Sequence, residues 1–284
     1  MRKAFLVAVV VLLVLPLACA MGTGLVDEAR AQYDLGNYEE AFALYLQAAE
    51  AGDAKAIYNV GALYARGEGV EEDDLTALEW FQKAAEMDHP DALYTIGNAY
   101  SFGNYGLQID CGASFSYCLR AAQLGNAKAM FAIGNMYDRG IGIAEDKELA
   151  VQWYQKASML GNASATYNLA LKYSDGEVLQ EDPVFAGKMI ERAAELGSVS
   201  GMLETGHAYH YGHYGMVVDY AVAAQWYQKG VDQGDAHCMR HLAELYASGL
   251  GVEKDIELAR TYYLQAQEAG EDVTAQLEAL DAQQ

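Results

Sequence analysis

The 284-residue sequence has few of the patterns on which enzyme chemistry depends. The serine-hydrolase elements S-x-x-K, K-T-G and G-x-S-x-G are absent, as are the zinc-protease motif H-E-x-x-H and a phosphate-binding G-x-x-x-x-G-K loop. Acidic residues are abundant, but no motif places a pair of them for acid–base chemistry. The sequence therefore predicts no catalytic residues and no cofactor, and we expect a protein that is not an enzyme.

Cysteine is scarce, and its spacing does not suggest a disulfide framework. Cys111 and Cys118 are seven residues apart on one predicted helix, about 10 Å along its axis, which is too far for a disulfide without unwinding. Cys238 takes a position that alanine occupies in equivalent segments of the chain. We interpret these thiols as structural, with a bridge between two chains as the alternative.

Basic residues are also few: 18 Lys and Arg stand against 40 Asp and Glu, which gives a formal net charge of −22. Nucleic-acid binding requires a basic surface, and an anionic lipid surface would repel such a chain. The sequence therefore argues against both partners and favours a soluble, extended array. A basic partner would be attracted, but charge alone selects no particular one.

The long apolar run of the chain is near its N-terminus, where residues 4–17 follow Met1-Arg2-Lys3. A basic start, an apolar stretch too short to span a membrane comfortably, and an A-x-A sequence predict a signal peptide over residues 1–20, cleaved after Ala20. The alternative is a lipoprotein leader acylated at Cys19, although Pro16 stands where such leaders usually have leucine. We expect a periplasmic or secreted protein with no membrane span, and lipid anchoring at Cys19 as the alternative.

Tyrosine recurs at an equivalent position every 36 or 37 residues through most of the chain. The recurring residues are Tyr64, Tyr100, Tyr137, Tyr173, Tyr209 and Tyr246. A small residue, glycine or alanine, lies three positions before each of them. A fixed period of this length is typical of a solenoid, in which each unit buries its apolar face against its neighbours. Because solenoids mostly present extended surfaces to other molecules, the period favours a binding function.

The segment 127–162 shows the pattern of one unit most clearly. Apolar residues recur at helical spacing between positions 130 and 137 and again between 150 and 157. Gly140 and Gly142 lie between the two stretches and are suited to a compact loop. Asp146 is placed to cap the second helix. Each unit is therefore predicted to be a pair of antiparallel helices.

The shared pattern, LGxxYxxGxGVxxDxxxAxxWYxKAAxxG, closely resembles the Sel-one-like repeat, a branch of the tetratricopeptide superfamily. Six copies fill residues 54–271, with starts near Ala54, Pro90, Ala127, Ala163, Val199 and Ala236. Residues 24–53 resemble an ordinary tetratricopeptide repeat with a shorter loop, and residues 272–284 are predicted to form a capping helix. The resemblance implies an all-α fold, a right-handed α-solenoid of antiparallel helix pairs.

The resemblance also implies that the first helix of each pair lines a concave face that binds partners. Transferring the groove positions copy by copy gives an aromatic row and, one turn later, a row that contains amides and a histidine. The candidate partner-binding residues are Tyr58, Tyr94, Asn98, Phe131, Asn135, Tyr167 and His207. Aromatic rings and asparagines suit recognition of an extended peptide or a partner helix. The alternative is that the aromatic row fills gaps between stacked helices.

Five of the six histidines, His207, His210, His213, His237 and His241, lie close together in the sequence. Because neighbouring first helices stack side by side, a few of them could converge on a metal ion such as zinc. Zinc sites need three or four ligands with supporting partners, so we interpret these histidines as polar groove or surface residues and predict no metal.

Together these features predict a secreted or periplasmic repeat adaptor that binds an unidentified protein or peptide on its concave face. In such families the implied partners are envelope assemblies, sensor ectodomains or host proteins. The alternative is a cell-envelope enzyme or binder acting on cell-wall material, because some secreted relatives have been described as penicillin-binding or as β-lactamases. No motif of the chain supports that alternative.

Overall fold

The computed structural model describes residues 24–282, and the predicted signal peptide lies outside the described residues. Within this range the chain forms fifteen α-helices, one short 3₁₀ turn at His213–Gly215 and no strand. The helices are α1 (24–34), α2 (Tyr38–Glu50), α3 (Ala54–Tyr64), α4 (Asp74–Glu86), α5 (Pro90–Phe102), α6 (Cys111–Gln123), α7 (Ala127–Arg139), α8 (Lys147–Met159), α9 (Ala163–Asp175), α10 (Pro183–Glu195), α11 (Val199–Tyr211), α12 (Tyr220–Val231), α13 (Ala236–Ser248), α14 (Ile256–Glu268) and α15 (Thr274–Asp281). The predicted all-α, helix-pair architecture is confirmed.

The helices form two compact units that divide between Asp146 and Lys147. Unit 1 contains α1–α7 and unit 2 contains α8–α15. From α2 to α7 and from α8 to α15, consecutive helices pack against each other. No helix among residues 24–282 is both long and apolar enough to cross a membrane.

Most helices begin at a side chain that accepts a hydrogen bond from the first turn. An aspartate with extended or near-extended backbone caps five of the second helices: Asp73, Asp110, Asp182, Asp219 and Asp255. First helices are capped by Asp53, His89, Asn126, Asn162, Ser198 and Asp235. These side chains satisfy backbone N–H groups that have no partner within the helix. The recurring caps therefore set where each helix begins and keep the repeats in register.

The loop inside each pair lies against the start of the second helix of the preceding pair. A Cβ at Gly142 would collide with the backbone carbonyl of Cys111, and Gly142 also has a positive φ of 73°. Gly251 meets the backbone at Tyr220 in the same way. Only glycine combines this backbone conformation with so close an approach. The second loop glycine thus joins neighbouring pairs of one unit.

The core of each pair depends on a small residue in the first helix that faces a buried side chain of the second. A Cβ added to Gly61 would lie 2.9 Å from the ring of Phe81, and one added to Gly97 would lie 2.6 Å from the Sγ of Cys118. Gly206 faces the ring of Tyr227 at similarly close range. These partner side chains are almost fully buried. The small residue that recurs three positions before each tyrosine therefore sets the distance between the paired helices.

We predict that Gly97→Ala lowers the free energy of unfolding by about 1–3 kcal/mol, because the new methyl group overpacks the contact with Cys118. The matched control is Gly112→Ala in the same repeat, where the nearest atom to an added Cβ is 3.4 Å away. That change should leave stability unchanged or raise it by less than about 1 kcal/mol, since alanine is the better helix former. Urea unfolding followed by circular dichroism measures both, and equal effects would contradict the role of Gly97.

Candidate partner-binding surface

Five of the seven candidate residues lie in unit 1 on three successive first helices. Tyr58, Tyr94 and Phe131 occupy the same position of α3, α5 and α7, and Asn98 and Asn135 lie one turn later on α5 and α7. The three rings and Asn135 are partly buried, whereas Asn98 is exposed. The first helices therefore present aromatic and amide groups that are packed on one side and accessible on the other.

Tyr58 contributes to packing as well as to this surface. Its ring stacks on His89 with 5.0 Å between centroids and lies 5.5 Å from the ring of Phe81. Its accessible side borders a cleft that is also lined by Tyr33, Tyr45, Asn59, Ala62, Leu63 and Arg66. Tyr33 accepts a hydrogen bond from Arg66 at 3.0 Å and donates one to Glu68 at 3.0 Å. The two interpretations of the aromatic row, packing and recognition, thus both apply at this position.

Tyr94 and Tyr167 have hydroxyl groups in partly apolar surroundings. Burial raises the pKa of Tyr94, and burial with the nearby carboxylate of Glu204 raises the pKa of Tyr167. Both phenols consequently stay protonated at physiological pH. A neutral phenol offers a ring for apolar contact and a hydroxyl for a hydrogen bond, which is the combination common at protein interfaces.

In unit 2 the candidate His207 belongs to a polar network that links α11 to α13. Its Nε2 lies 2.9 Å from the Nε2 of His241, and its Nδ1 lies 3.5 Å from a carboxylate oxygen of Glu204. His241 is buried, with only 5% of its surface exposed. The Nδ1 of His241 lies 2.9 Å from Oε2 of Glu244, and its Nε2 lies 3.0 Å from Nη2 of Arg240.

The partners of His241 determine where its proton resides. Arginine can only donate, so the Nε2 of His241 accepts from Arg240, and Nδ1–H donates to Glu244. The Nε2–H of His207 points at the same atom, so the single lone pair on Nε2 of His241 is shared between His207 and Arg240. Burial lowers the pKa of His241, and the charge of Arg240 acts in the same direction although Glu244 opposes it. His241 is therefore neutral at neutral pH.

The carboxylates of the network are also satisfied. Oε1 of Glu204 accepts from the hydroxyl of Tyr214 at 2.9 Å, and Glu271 accepts from Nε of Arg240 at 2.8 Å. The neighbouring side chain of His207 and, to a smaller extent, the hydroxyl of Tyr214 hold the pKa of Glu204 below its usual value. For Glu244, burial would raise the pKa, but the bonds from His241 and Arg240 outweigh it and lower the pKa. Within residues 24–282 there is no group of three or more His, Cys, Asp or Glu side chains arranged to hold a metal ion.

The three cysteines of the described chain carry free thiols. Cys118 and Cys238 are buried, and burial raises the pKa of the Cys118 thiol to about 11 and raises that of Cys238 as well. The sulfur of Cys118 lies 2.6 Å from where a Cβ at Gly97 would stand, and that of Cys238 lies 2.2 Å from the corresponding position at Gly230. A protonated, inaccessible thiol is a poor nucleophile, so these two residues act as small packing groups.

Two tyrosines near the candidate surface escaped the sequence interpretation. Tyr105 and Tyr214 have positive φ angles of 55° and 57°, which is uncommon for a non-glycine residue. Both occur in the pattern G-x-Y-G-x-x-x-D, at residues 103–110 and 212–219. These are the loops with one additional residue, and the repeated pattern was the available signal.

Seven consecutive segments of the sequence match the Sel1 repeat family, at residues 32–53, 54–89, 90–126, 127–162, 163–198, 199–235 and 236–271. The chain therefore belongs to the Sel1 repeat family. Proteins of this family generally mediate protein–protein interactions and are generally adaptors without enzymatic activity. The first matched segment lies in the region that resembles an ordinary tetratricopeptide repeat.

Individual relatives support the family assignment. A Sel1 repeat protein from Oxalobacter formigenes has 28% sequence identity and a TM-score of 0.78, covering 86% of this chain and 99% of its own. A protective antigen of uropathogenic Escherichia coli strains, with an SLR fold, has 27% identity and a TM-score of 0.57, covering 89% of this chain and 64% of its own. Mouse protein sel-1 homolog 2 is 43% identical over 65 residues, which are 22% of this chain and 9% of the mouse protein. The chain thus spans a small part of the mouse relative.

We predict that acidification weakens the fold through two histidines that the fold shields from water, fully at His241 and partly at His210. Burial lowers the pKa of His210 and His241 in the folded chain, so the unfolded chain binds protons first as the pH falls below about 6.5. The free energy of unfolding is then highest above this pH and falls toward pH 5, by about 1.4 kcal/mol for each unit of pKa difference.

Urea unfolding of the wild type and of His241→Gln at pH 7.5 and pH 5.5 measures this loss. The variant should be less stable at pH 7.5 but should lose less between the two pH values, because it has one titrating group fewer. Equal losses in both proteins would show that His241 does not contribute to the pH dependence.

Proposed function

We propose that this protein is a repeat adaptor that docks a protein or peptide on the exposed side of its first helices. The observation that supports this most directly is in unit 1. Partly exposed rings of Tyr58, Tyr94 and Phe131 occupy one position on three successive first helices, with Asn98 and Asn135 one turn later. The interaction role that is general in the Sel1 repeat family agrees with this assignment.

The chemistry of this row favours a partner that offers both apolar side chains and backbone hydrogen-bonding groups. The protonated Tyr94 provides contact area with little loss of conformational entropy. The exposed amide of Asn98 can both donate to and accept from a peptide backbone. An extended segment or one side of a partner helix meets these requirements.

In unit 2 the equivalent positions are more polar, because His207 is engaged by His241 and Glu204. Tyr167 retains the aromatic character of the row there. We therefore assign the main contact with the partner to the unit 1 row, with Tyr167 and His207 as the candidate residues of unit 2.

We further propose that the adaptor acts outside the cytoplasm. The support is the sequence of residues 1–20, which has a basic start, an apolar stretch and the A-x-A ending. A soluble periplasmic or secreted protein is the preferred form, and acylation at Cys19 is the alternative.

We predict that Tyr94→Ala reduces the free energy of partner binding by about 1–3 kcal/mol, because binding energy concentrates in central aromatic anchors. Asn98→Ala should weaken binding with little change in melting temperature, since its side chain is exposed. The matched control is Asn104→Ala, an exposed asparagine in the adjacent loop, which should bind as the wild type does. The partner is first identified by proximity labelling with the full chain in its native host.

Affinity and melting temperature are then measured on the same samples by calorimetry and by circular dichroism. If Tyr94→Ala lowers only the melting temperature, the row serves packing alone. Wild-type affinity in both Tyr94→Ala and Asn98→Ala would contradict docking on the first helices.

We predict that the exported protein begins at Met21, because cleavage after Ala20 follows the A-x-A sequence. Intact-mass spectrometry of the protein from the native host measures the N-terminus directly. A chain that begins at Cys19 and carries a diacylglyceryl mass would establish the anchored form instead. A chain that retains residues 1–20 would contradict export by this route.

A further inference from the structure

The two loops that carry Tyr105 and Tyr214 are copies of one structure. Residues 103–110 and 212–219 share the pattern G-x-Y-G-x-x-x-D and are 109 residues apart. Three repeats also span 109 residues, both from 54 to 162 and from 163 to 271. Each unit thus contains one such loop, at the same place in a block of three repeats.

Each loop tyrosine holds its loop against the preceding repeat. The ring of Tyr105 lies 5.6 Å from that of Phe81 on α4. The Cβ of Tyr214 lies 2.6 Å from where a Cβ would stand at Gly187 on α10. The hydroxyl of Tyr214 donates a hydrogen bond to Glu204. A left-handed backbone at a tyrosine is held only where surrounding contacts determine it. Both loops are therefore fixed against a neighbouring pair of helices.

Exposed apolar side chains occur at equivalent positions in and beside the two loops. We define loop patch 1 as Leu75, Phe102 and Ile109, which are 65%, 67% and 67% exposed, and loop patch 2 as Val184, Tyr211 and Val218, which are 54%, 50% and 45% exposed. The members of each patch are equivalent at a distance of 109 residues.

Contacts around the loop glycines place two members of each patch against the loop, and the third directly precedes its first glycine. A Cβ at Gly106 would lie 3.1 Å from Leu75, and one at Gly215 would lie 3.2 Å from Val184. A Cβ at Gly103 would lie 3.3 Å from Ile109, and one at Gly212 would lie 3.3 Å from Val218. The two patches therefore share the same local arrangement.

Both patches are bordered by an excess of negative charge. Residues 66–75 and 102–110, which carry loop patch 1, contain six acidic residues and one arginine, a net charge of −5. Residues 175–184 and 211–219, which carry loop patch 2, contain five acidic residues and no lysine or arginine, also −5. Arg66 pairs with Glu68, and Lys147 pairs with Glu177. Asp73, Asp110, Asp182 and Asp219 accept backbone N–H groups as helix caps, but no basic side chain of the described residues neutralises them, so their negative charge still acts on a cation.

We propose that each loop patch docks a cationic segment of a partner that presents a bulky apolar side chain between lysines or arginines. The apolar side chain covers the exposed patch, and the basic residues meet the bordering carboxylates. A second copy of this chain is disfavoured as the occupant, because two chains of formal net charge −22 repel each other. The chain then has two equivalent sites, which adjoin the first-helix row because Phe102 and Tyr211 lie one turn after Asn98 and His207.

The test uses a short synthetic peptide of alternating lysine and leucine, titrated into the full chain by calorimetry at low salt. We expect two peptides to bind each chain. Ile109→Lys should remove one of them, Val218→Lys should remove the other, and the double variant should bind none. A peptide with serine in place of leucine should bind at least about tenfold more weakly, since each buried leucine contributes about 1.5–3 kcal/mol.

The matched control is Leu264→Lys, which adds the same charge at a side chain of α14 that is 45% exposed and outside both patches. It should leave two peptides bound. If Leu264→Lys weakens binding as much as Ile109→Lys, or if the serine peptide binds equally well, the peptide responds to net charge alone and the proposal is wrong. Self-association of the wild type that Ile109→Lys abolishes would assign the patch to a second copy and overturn it as well.

Asn135→Ala separates this proposal from the proposed function of the first helices. It should leave peptide binding unchanged, because Asn135 lies on α7, which contributes no residue to either loop patch. Melting temperatures of all variants show whether a loss of binding reflects unfolding. If folded Ile109→Lys and Val218→Lys variants still bind two peptides each, the loop patches are not the binding sites, whatever the first helices bind.

Discussion

The close approach of the two helices in each repeat is the constraint on which the rest of the structure depends. Gly97 against Cys118 and Gly206 against Tyr227 leave no room for a methyl group. The spacing of the pair then fixes which residues of the first helix are covered and which reach solvent. The exposed amide of Asn98 and the partly exposed ring of Tyr94 follow from that spacing.

The sequence was sufficient to predict the helix pairs because their signals are local and repeated. The tyrosine period, the small residue before it and the aspartate caps each recur, so one copy supports another. The loop tyrosines were not predictable in the same way. Tyrosine rarely adopts a left-handed backbone, and nothing local to Tyr214 reveals its contacts with Gly187 and Glu204. The candidate residues of the first helices were placed by resemblance, and their role in binding stays a prediction.

The histidines show a second limit on what can be predicted from the sequence. Their spacing indicated that some share a helix face, but the behaviour of His241 is decided by Arg240 and Glu244 beside it. An arginine that donates to the ring fixes the tautomer and disfavours an added cation. Proximity of histidines in a sequence therefore does not distinguish a ligand set from a hydrogen-bonded core network; the donors and acceptors around them do.

The contact between each loop and the helix start of the preceding pair gives the array a direction. Gly142 covers the start of α6, and Gly251 covers the start of α12, so within each unit a repeat is completed by the one that follows it. Synthesis on the ribosome runs in the same direction. Each pair that emerges therefore supplies the missing contact of the pair before it, and folding can keep pace with translation without waiting for the distant end of the chain.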